Sequence, residues 1–274
     1  MTELEEKITA WAGGERDVRA VALVGSRART DSPADEWSDW DVVIFADDSA
    51  ALLERDDWVD AFGAVKLTFL EPTAVGGQRE RRVLYEDGTD VDFSVVPFEL
   101  TEHAAAAQVA ARGIRVLLDK DGELRRRLNE VPPRQRAPLP TQHELSEVVQ
   151  DFYYHGIWAA KKLRRGELFT AKQAVDSYMK RLLLRMLEWH ARVRDPEVDT
   201  WHEGRFLESW ADPNALEELR LAYARYDEED VQRALFVTLD LFRRLARETA
   251  AARGLTYAGD AEAFGTQMVR ELLA

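Results

Sequence analysis

Two hydrophobic rhythms divide this chain, and the change falls near its middle. Up to about Leu118, short apolar or alternating runs recur at 19–24, 40–46, 64–70, 82–86, 90–96 and 114–118, the period-two signature of strands. Between them, residues 4–11, 49–62 and 99–110 space their apolar positions as helices do, and a short helix opens at Asp121 and stops before Pro132 and Pro133. Strands interleaved with helices predict a mixed sheet with helices packed against it. Beyond Thr141 the period of two disappears. Segments 144–165, 169–192, 214–223 and 228–251 read as helices, with a last one from about Asp260. The expected class is α+β, with an N-terminal domain over 1–135 and a C-terminal helical bundle over 141–274. Between them VPPRQRAPLP, residues 131–140, holds four of the nine prolines and reads as the linker. A cleft between two such domains is where a ligand is expected.

Composition narrows the picture. With 274 residues, 46% hydrophobic and 32% charged, the chain can build two cores without staples. It has no cysteine, which excludes disulfides, thiolate zinc sites and cysteine nucleophiles. The start, MTELEEKITAWAGG, lacks the basic and apolar regions of a leader, and no run approaches the roughly 20 apolar residues that span a bilayer, so a cytoplasmic protein without membrane association is expected. A formal net charge of −14 argues against nucleic acid as a partner and suits a cationic small molecule, whose encounter a negative cleft would accelerate. His103, His143, His155, His190 and His202 show no ligand spacing and read as structural or surface residues.

The chemistry concentrates in VALVGSRARTDSPADEWSDWDVVIF, residues 21–45. An apolar strand ends at Gly25-Ser26, and a second opens with Asp39 and Asp41. Side chains two apart on a strand share a face, so these carboxylates point one way while Trp40 and Val42 point the other. Paired carboxylates suit magnesium, whose ligands are oxygens. Gly25 permits a sharp turn that presents Ser26 and the following amides to a phosphate, and a helix starting near Arg27 would add its positive end there. Downstream, RRVLYEDGTDVDFSVVP (81–97) reads as a hairpin turning at 86–89, whose second strand carries Asp90 and Asp92 on one face and supplies a third carboxylate.

Other charged and aromatic groups have plainer readings. Lys161, Lys162, Arg164 and Arg165 close one predicted helix and Lys172 opens the next; they read first as a solvated face, with Lys161 or Lys172 reaching a triphosphate as the alternative. Arg125–Arg127 read as surface. Arg79, Arg81 and Arg82, beside Gly76 and Gly77, read as a solvated approach to the hairpin rather than a mobile loop over a nucleotide. Tyr153, Tyr154, Trp158, Trp189 and Trp201 are assigned to core packing before stacking on a ligand. Asp176 and Glu188 could accept hydrogen bonds from cationic groups.

The order of apolar strand, Gly-Ser, loop, Ser38-Asp-x-Asp and later strand carboxylate resembles the polymerase-beta-type nucleotidyltransferases. AAKKLRRGELFTAK (159–172), MLEW (186–189) and LLDKDGEL (117–124) are similar to the aminoglycoside 6-adenylyltransferases, also called streptomycin adenylyltransferases, over about residues 18–210. The resemblance implies a catalytic nucleotidyltransferase domain followed by a helical substrate-binding domain. It implies transfer of AMP from ATP to an aminoglycoside hydroxyl, streptomycin first, with two Mg2+ ions and release of pyrophosphate. Asp39 and Asp41 would carry metal, joined by Asp92 in preference to Asp90. Gly25, Ser26, Arg27 and Ser38, with Lys161 or Lys172, would hold the nucleotide, while Asp90, Asp176 and Glu188 would meet the cationic acceptor. A monomer or homodimer is equally compatible. A lincosamide or other hydroxylated acceptor, or a nucleotidyltransferase-like antitoxin, are the alternative functions.

Overall fold

The computed structural model describes residues 1–29, 34–73, 77–134 and 136–274; Gly76, named above beside the arginines, lies outside them. The chain divides into two compact units, Met1–Arg136 and Ala137–Ala274.

The first unit is built on six strands, β1 (Val18–Leu23), β2 (Trp40–Ala46), β3 (Val65–Pro72), β4 (Arg79–Tyr85), β5 (Asp90–Val96) and β6 (Arg115–Asp119), in the order β3-β4-β5-β2-β1-β6. All six correspond to runs of apolar alternation in the sequence. Pairing is antiparallel except between β2 and β5, which run parallel and set Asp41 opposite Asp92. One sheet face carries Trp40, Val42, Ile44, Val91, Phe93 and Val95 into a core with Ile8 and Ala12 of α1 (Glu3–Gly14), Leu52 and Leu53 of α2 (Ser49–Glu54), Trp58 and Phe62. The opposite face buries Ala20, Ala22, Phe45 and Val96 against Phe98 and Leu124, the latter on α4 (Glu123–Leu128). The carboxylates belong to this second face, where period-two alternation replaces apolar side chains by Asp41 and Asp92 at the leading ends of β2 and β5.

Two predicted helices are broken. The 49–62 segment ends as α-helix at Glu54, because the Trp58 indole turns back and donates to the carbonyls of Leu52 at 3.0 Å and Arg55 at 3.1 Å, taking up acceptors at the helix end. The 99–110 segment splits into a 3-10 turn, Phe98–Glu102, and α3 (Ala104–Arg112), with His103 as N-cap accepting from the Ala105 amide.

The second unit is helical throughout: α5 (Gln142–Arg164), α6 (Leu168–Gln173), α7 (Met179–Arg194), α8 (Leu207–Trp210), α9 (Pro213–Leu221), α10 (Glu228–Arg253) and α11 (Gly259–Leu273). Thr141 and Glu144 form a capping box that starts α5. Its core includes Phe152 stacked on Phe242 at 3.6 Å, with Leu145, Met179, Leu183, Met186 and Leu235 around them. Tyr153 and Trp189 are buried as core packing requires, whereas Tyr154 and Trp201 are exposed.

The predicted helix 169–192 contains one irregularity. A π-helical turn, Ala174–Tyr178, separates α6 from α7. The Lys180 ammonium donates to the Val175 carbonyl at 3.1 Å and to Thr238 Oγ1 at 2.8 Å, while Asp176 Oδ2 accepts from Lys172 and from the Ala224 amide. These bonds satisfy groups that an uninterrupted α-ladder would arrange differently. Burial pushes the Lys180 ammonium down to about 8 from 10.5, against the opposing charge of Asp176. The unfolded chain keeps that proton up to its ordinary pKa. Between pH 8 and about 10 the unfolded state therefore binds more protons, and stability rises with pH by on the order of 2 kcal/mol; below pH 8 the cost of the buried charge is fully present. Denaturant midpoints across this range should show the slope in the parent and a flattened one in Lys180→Met. An unchanged slope in that variant would remove Lys180 as its source.

Candidate active site

The site begins where β1 ends. The Val24 amide donates to the Asp41 carbonyl at 3.0 Å, locking the exit of β1 beside the start of β2. The chain then turns through Gly25–Arg27, a single 3-10 turn. Among the described residues no α-helix starts near Arg27, so none of them directs a full helix dipole at this spot, contrary to the sequence expectation. Gly25 has φ of +65°, open to glycine at little cost, and an added Cβ would lie 1.8 Å from Asp41 Oδ2. The absent side chain is the space that the Asp41 carboxylate fills.

Arg27 braces the other carboxylate-bearing residue. Its guanidinium donates to the carbonyls of Ser38 and, at 2.9 Å, Asp39, and lies over the Trp40 ring at 4.0 Å. Its burial lowers the guanidinium pKa, offset by Asp39, Glu5, Asp35 and Asp41. Ser38 Oγ donates to Asp35 Oδ1 at 2.8 Å and accepts from the Asp35 amide, which closes the loop just before Asp39. Arg27 and Ser38, singled out for the nucleotide, thus shape the backbone that carries Asp39. Ser26 Oγ is buried and has no hydrogen-bond partner among the described residues.

Asp39, Asp41 and Asp92 converge: one carboxylate oxygen from each lies within 4.8 Å of the others. Among the described residues they form the one trio of acidic or histidine side chains with metal-holding geometry. The donor set is all oxygen, and the buried Asp92 Oδ1 has no hydrogen-bond partner among the described residues, so the trio fits a hard divalent cation such as Mg2+. Burial pushes the Asp92 carboxyl up to about 7; Glu80, Asp41 and Asp39 add to the rise and Arg82 opposes it.

Asp90 does not join the trio. It is exposed at the first position of β5, one step of the alternation beyond Asp92, so the third carboxylate is Asp92. The reading of Arg79, Arg81 and Arg82 as a solvated approach holds for exposed Arg79 and needs correction for Arg81 and Arg82. Arg81 is buried and donates to the Leu53 carbonyl at 2.7 Å, Arg79 pairs with Glu54, and Arg82 Nη1 meets Asp92 Oδ2 at 3.0 Å. The signal was present in the alternation of RERRVLY, which puts Glu80 and Arg82 on one face, but finding their partners requires the hairpin register.

The remaining candidates lie in the second unit. Lys161 is exposed on α5. Lys172 is half-buried and held by Asp176 and the Ala224 carbonyl, so Lys172 and Asp176 are partners of one another. Glu188, half-buried on α7, has its carboxyl raised by burial, with Arg192 and Arg185 opposing.

The profile of the streptomycin adenylyltransferase family matches residues 1–270. The chain belongs to this family. The match extends beyond the 18–210 span that the sequence motifs covered, and it makes the protein a nucleotidyltransferase enzyme. Similar curated relatives are the aminoglycoside 6-adenylyltransferase of Bacillus subtilis (strain 168), 25% identical over 93% of this chain and 91% of the relative, and that of Campylobacter jejuni, 22% identical over 98% and 94%. A crystal structure of an aminoglycoside 6-adenyltransferase from B. subtilis aligns with 100% of this chain and 99% of its own at 20% identity, with a TM-score of 0.49. Among the described residues no helix is long and apolar enough to cross a membrane.

Proposed function

We propose that this protein transfers AMP from ATP to a hydroxyl of an aminoglycoside, streptomycin first among them, with release of pyrophosphate. The observation that carries the reading is the convergence of Asp39, Asp41 and Asp92 beside the Gly25 turn in a chain of the streptomycin adenylyltransferase family. Asp39 and Asp41 would hold two Mg2+ ions with Asp92 completing the set; bound there, the metal supplies charge neutralisation at the triphosphate and acidifies the acceptor hydroxyl.

The chain's own residues do the rest. The Gly25–Arg27 turn presents backbone amides and Ser26 to the phosphates, and Arg27 and Ser38 fix the loop that delivers Asp39. The acceptor oxygen attacks the alpha phosphorus in line, the bond from that phosphorus to the bridging oxygen breaks, and pyrophosphate leaves with the bonding electrons. Asp92 either completes one metal site, the proton of the acceptor hydroxyl then passing to water, or takes that proton itself. In the second unit Lys172 is committed to Asp176, which leaves exposed Lys161 as the freer of the two lysines proposed for the triphosphate. With Asp176 engaged by Lys172, Asp90 and Glu188 would meet ammonium or guanidinium groups of the acceptor. The net charge of −14 favours encounter with such a cation.

Mass spectrometry of streptomycin after incubation with the protein, ATP and Mg2+ tests the reaction. The expected product carries one added AMP. If streptomycin is unmodified while a lincosamide or another hydroxylated drug gains AMP, the acceptor assignment falls and the chemistry stands. If no acceptor gains AMP and ATP with Mg2+ fails to raise the melting temperature, the transferase assignment falls too.

A further inference from the structure

Arg82 stands at the centre of a charged row that crosses three neighbouring strands. The register of β3, β4 and β5 places Arg82 opposite Asp92 on one side and Phe69 on the other, with Glu80 opposite Ser94 and Glu71 one step along. Its guanidinium makes three ionic contacts: with Glu71 through Nε, with Glu80 at 3.4 Å through Nη2, and with Asp92 Oδ2 at 3.0 Å through Nη1. Glu80 is itself tied down by Ser94 Oγ at 3.2 Å. A guanidinium is a planar fork whose donors are fixed relative to one another, so holding two of its nitrogens on glutamates determines where the third points.

The consequence falls on Asp92, whose two oxygens are treated differently. Oδ2 receives Arg82, whereas Oδ1 is buried without a hydrogen-bond partner among the described residues. A buried carboxylate with one oxygen engaged cannot rotate freely about its last torsion without losing a charge-assisted bond. We propose that Arg82, clamped by Glu71 and Glu80, is the positioning residue of this site: by engaging Oδ2 it fixes the Asp92 carboxylate so that Oδ1 is kept for the metal held with Asp39 and Asp41. The proposal rests on the metal-holding role given above to the three aspartates. Arg82 acts through Asp92 and touches neither nucleotide nor acceptor in this scheme.

The opposed possibility is that Arg82 leaves Asp92 when ATP arrives and binds the triphosphate directly. The two differ in what happens without nucleotide. Mn2+ binding to nucleotide-free protein, followed by loss of the free-ion paramagnetic resonance signal, reads the positioning role alone. Arg82→Met is expected to weaken Mn2+ by about 10- to 100-fold, the range found when partners of metal ligands are removed. Arg82→Lys, which keeps a cationic donor for Oδ2, should recover part of the loss. Arg82→Gln serves in place of the Met variant if circular dichroism shows that the latter does not fold. The same titration on Glu71→Gln should give a smaller loss in the same direction, because the fork is loosened and the donor is kept.

Unchanged Mn2+ affinity in a folded Arg82→Met protein, with a raised KM for ATP, would overturn the proposal in favour of direct triphosphate binding. A Lys variant as weak as the Met variant would overturn the role of the donor to Oδ2. If the parent protein binds no Mn2+, the metal assignment of the aspartates has failed, which is distinguishable from a parent that binds and a variant that binds equally well.

Discussion

Asp41→Asn protein should lose AMP transfer by on the order of 1,000-fold, the cost expected when several kcal/mol of charge stabilisation leave a phosphoryl-transfer site. Asp41 occupies the middle of the site, opposite Asp92 across parallel strands and against the Gly25 turn. The substitution keeps size and shape and removes one negative charge. A second readout separates a lost site from a damaged fold. Three carboxylates converging within 4.8 Å repel one another when no cation is bound, so removing one charge should leave the metal-free protein as stable as the parent or more so. The parent's rise in melting temperature with Mg2+ should shrink or vanish in the variant. Product formation measured by mass spectrometry and melting measured with and without Mg2+ check both. A variant as active as the parent would show that Asp41 holds no essential metal.

Gly25→Ala should be nearly as damaging although it adds a single methyl group. The new Cβ would lie 1.8 Å from Asp41 Oδ2 and 2.7 Å from its Cγ, far inside van der Waals contact, so the carboxylate must move. The φ of +65° adds left-handed backbone strain of about 1 to 2 kcal/mol. A displacement of about 1 Å in a positioned group can cost about 100-fold in rate, and a loss of at least that size is expected here. Because the turn lies at the end of β1, the unit should still fold, with a modestly lowered melting temperature. Rates from pyrophosphate release and a thermal melt on the same sample test this. Parent-like turnover would mean that the Asp41 position is not set by the space at Gly25.

These expectations depend on what the tertiary structure adds to a motif the sequence already displays. Gly25-Ser26 and Asp39-x-Asp41 are visible because each works through local geometry: a turn that needs a glycine, and an alternation that sends two side chains to one face. Strands were legible for the same reason, and β2 and β5 coincide with their apolar runs residue for residue. The helices that failed to continue, at Glu54 and at His103, failed through side chains acting at a distance in sequence or across a turn. The Trp58 indole on the Leu52 carbonyl and the His103 cap on Ala105 are contacts that apolar periodicity does not encode.

What the sequence by itself determined was the division between strand-rich and helical halves, the phosphate-suited turn, the acidic pair and the family to which the chain belongs. The sequence already preferred Asp92 to Asp90, but the reason lies in the register of parallel β2 and β5: both aspartates share a face, and pairing shows that Asp92 stands opposite Asp41. Arg82 needed the register of two further strand pairs before a hairpin arginine could be seen as a partner of the site. Likewise, the pairing of Lys172 with Asp176 emerged only where a π turn meets the Ala224 backbone 48 residues away in sequence. Alternation fixes which way a side chain points; which residue it meets there depends on how strands pair and helices pack across long stretches of chain, and that was settled by the fold.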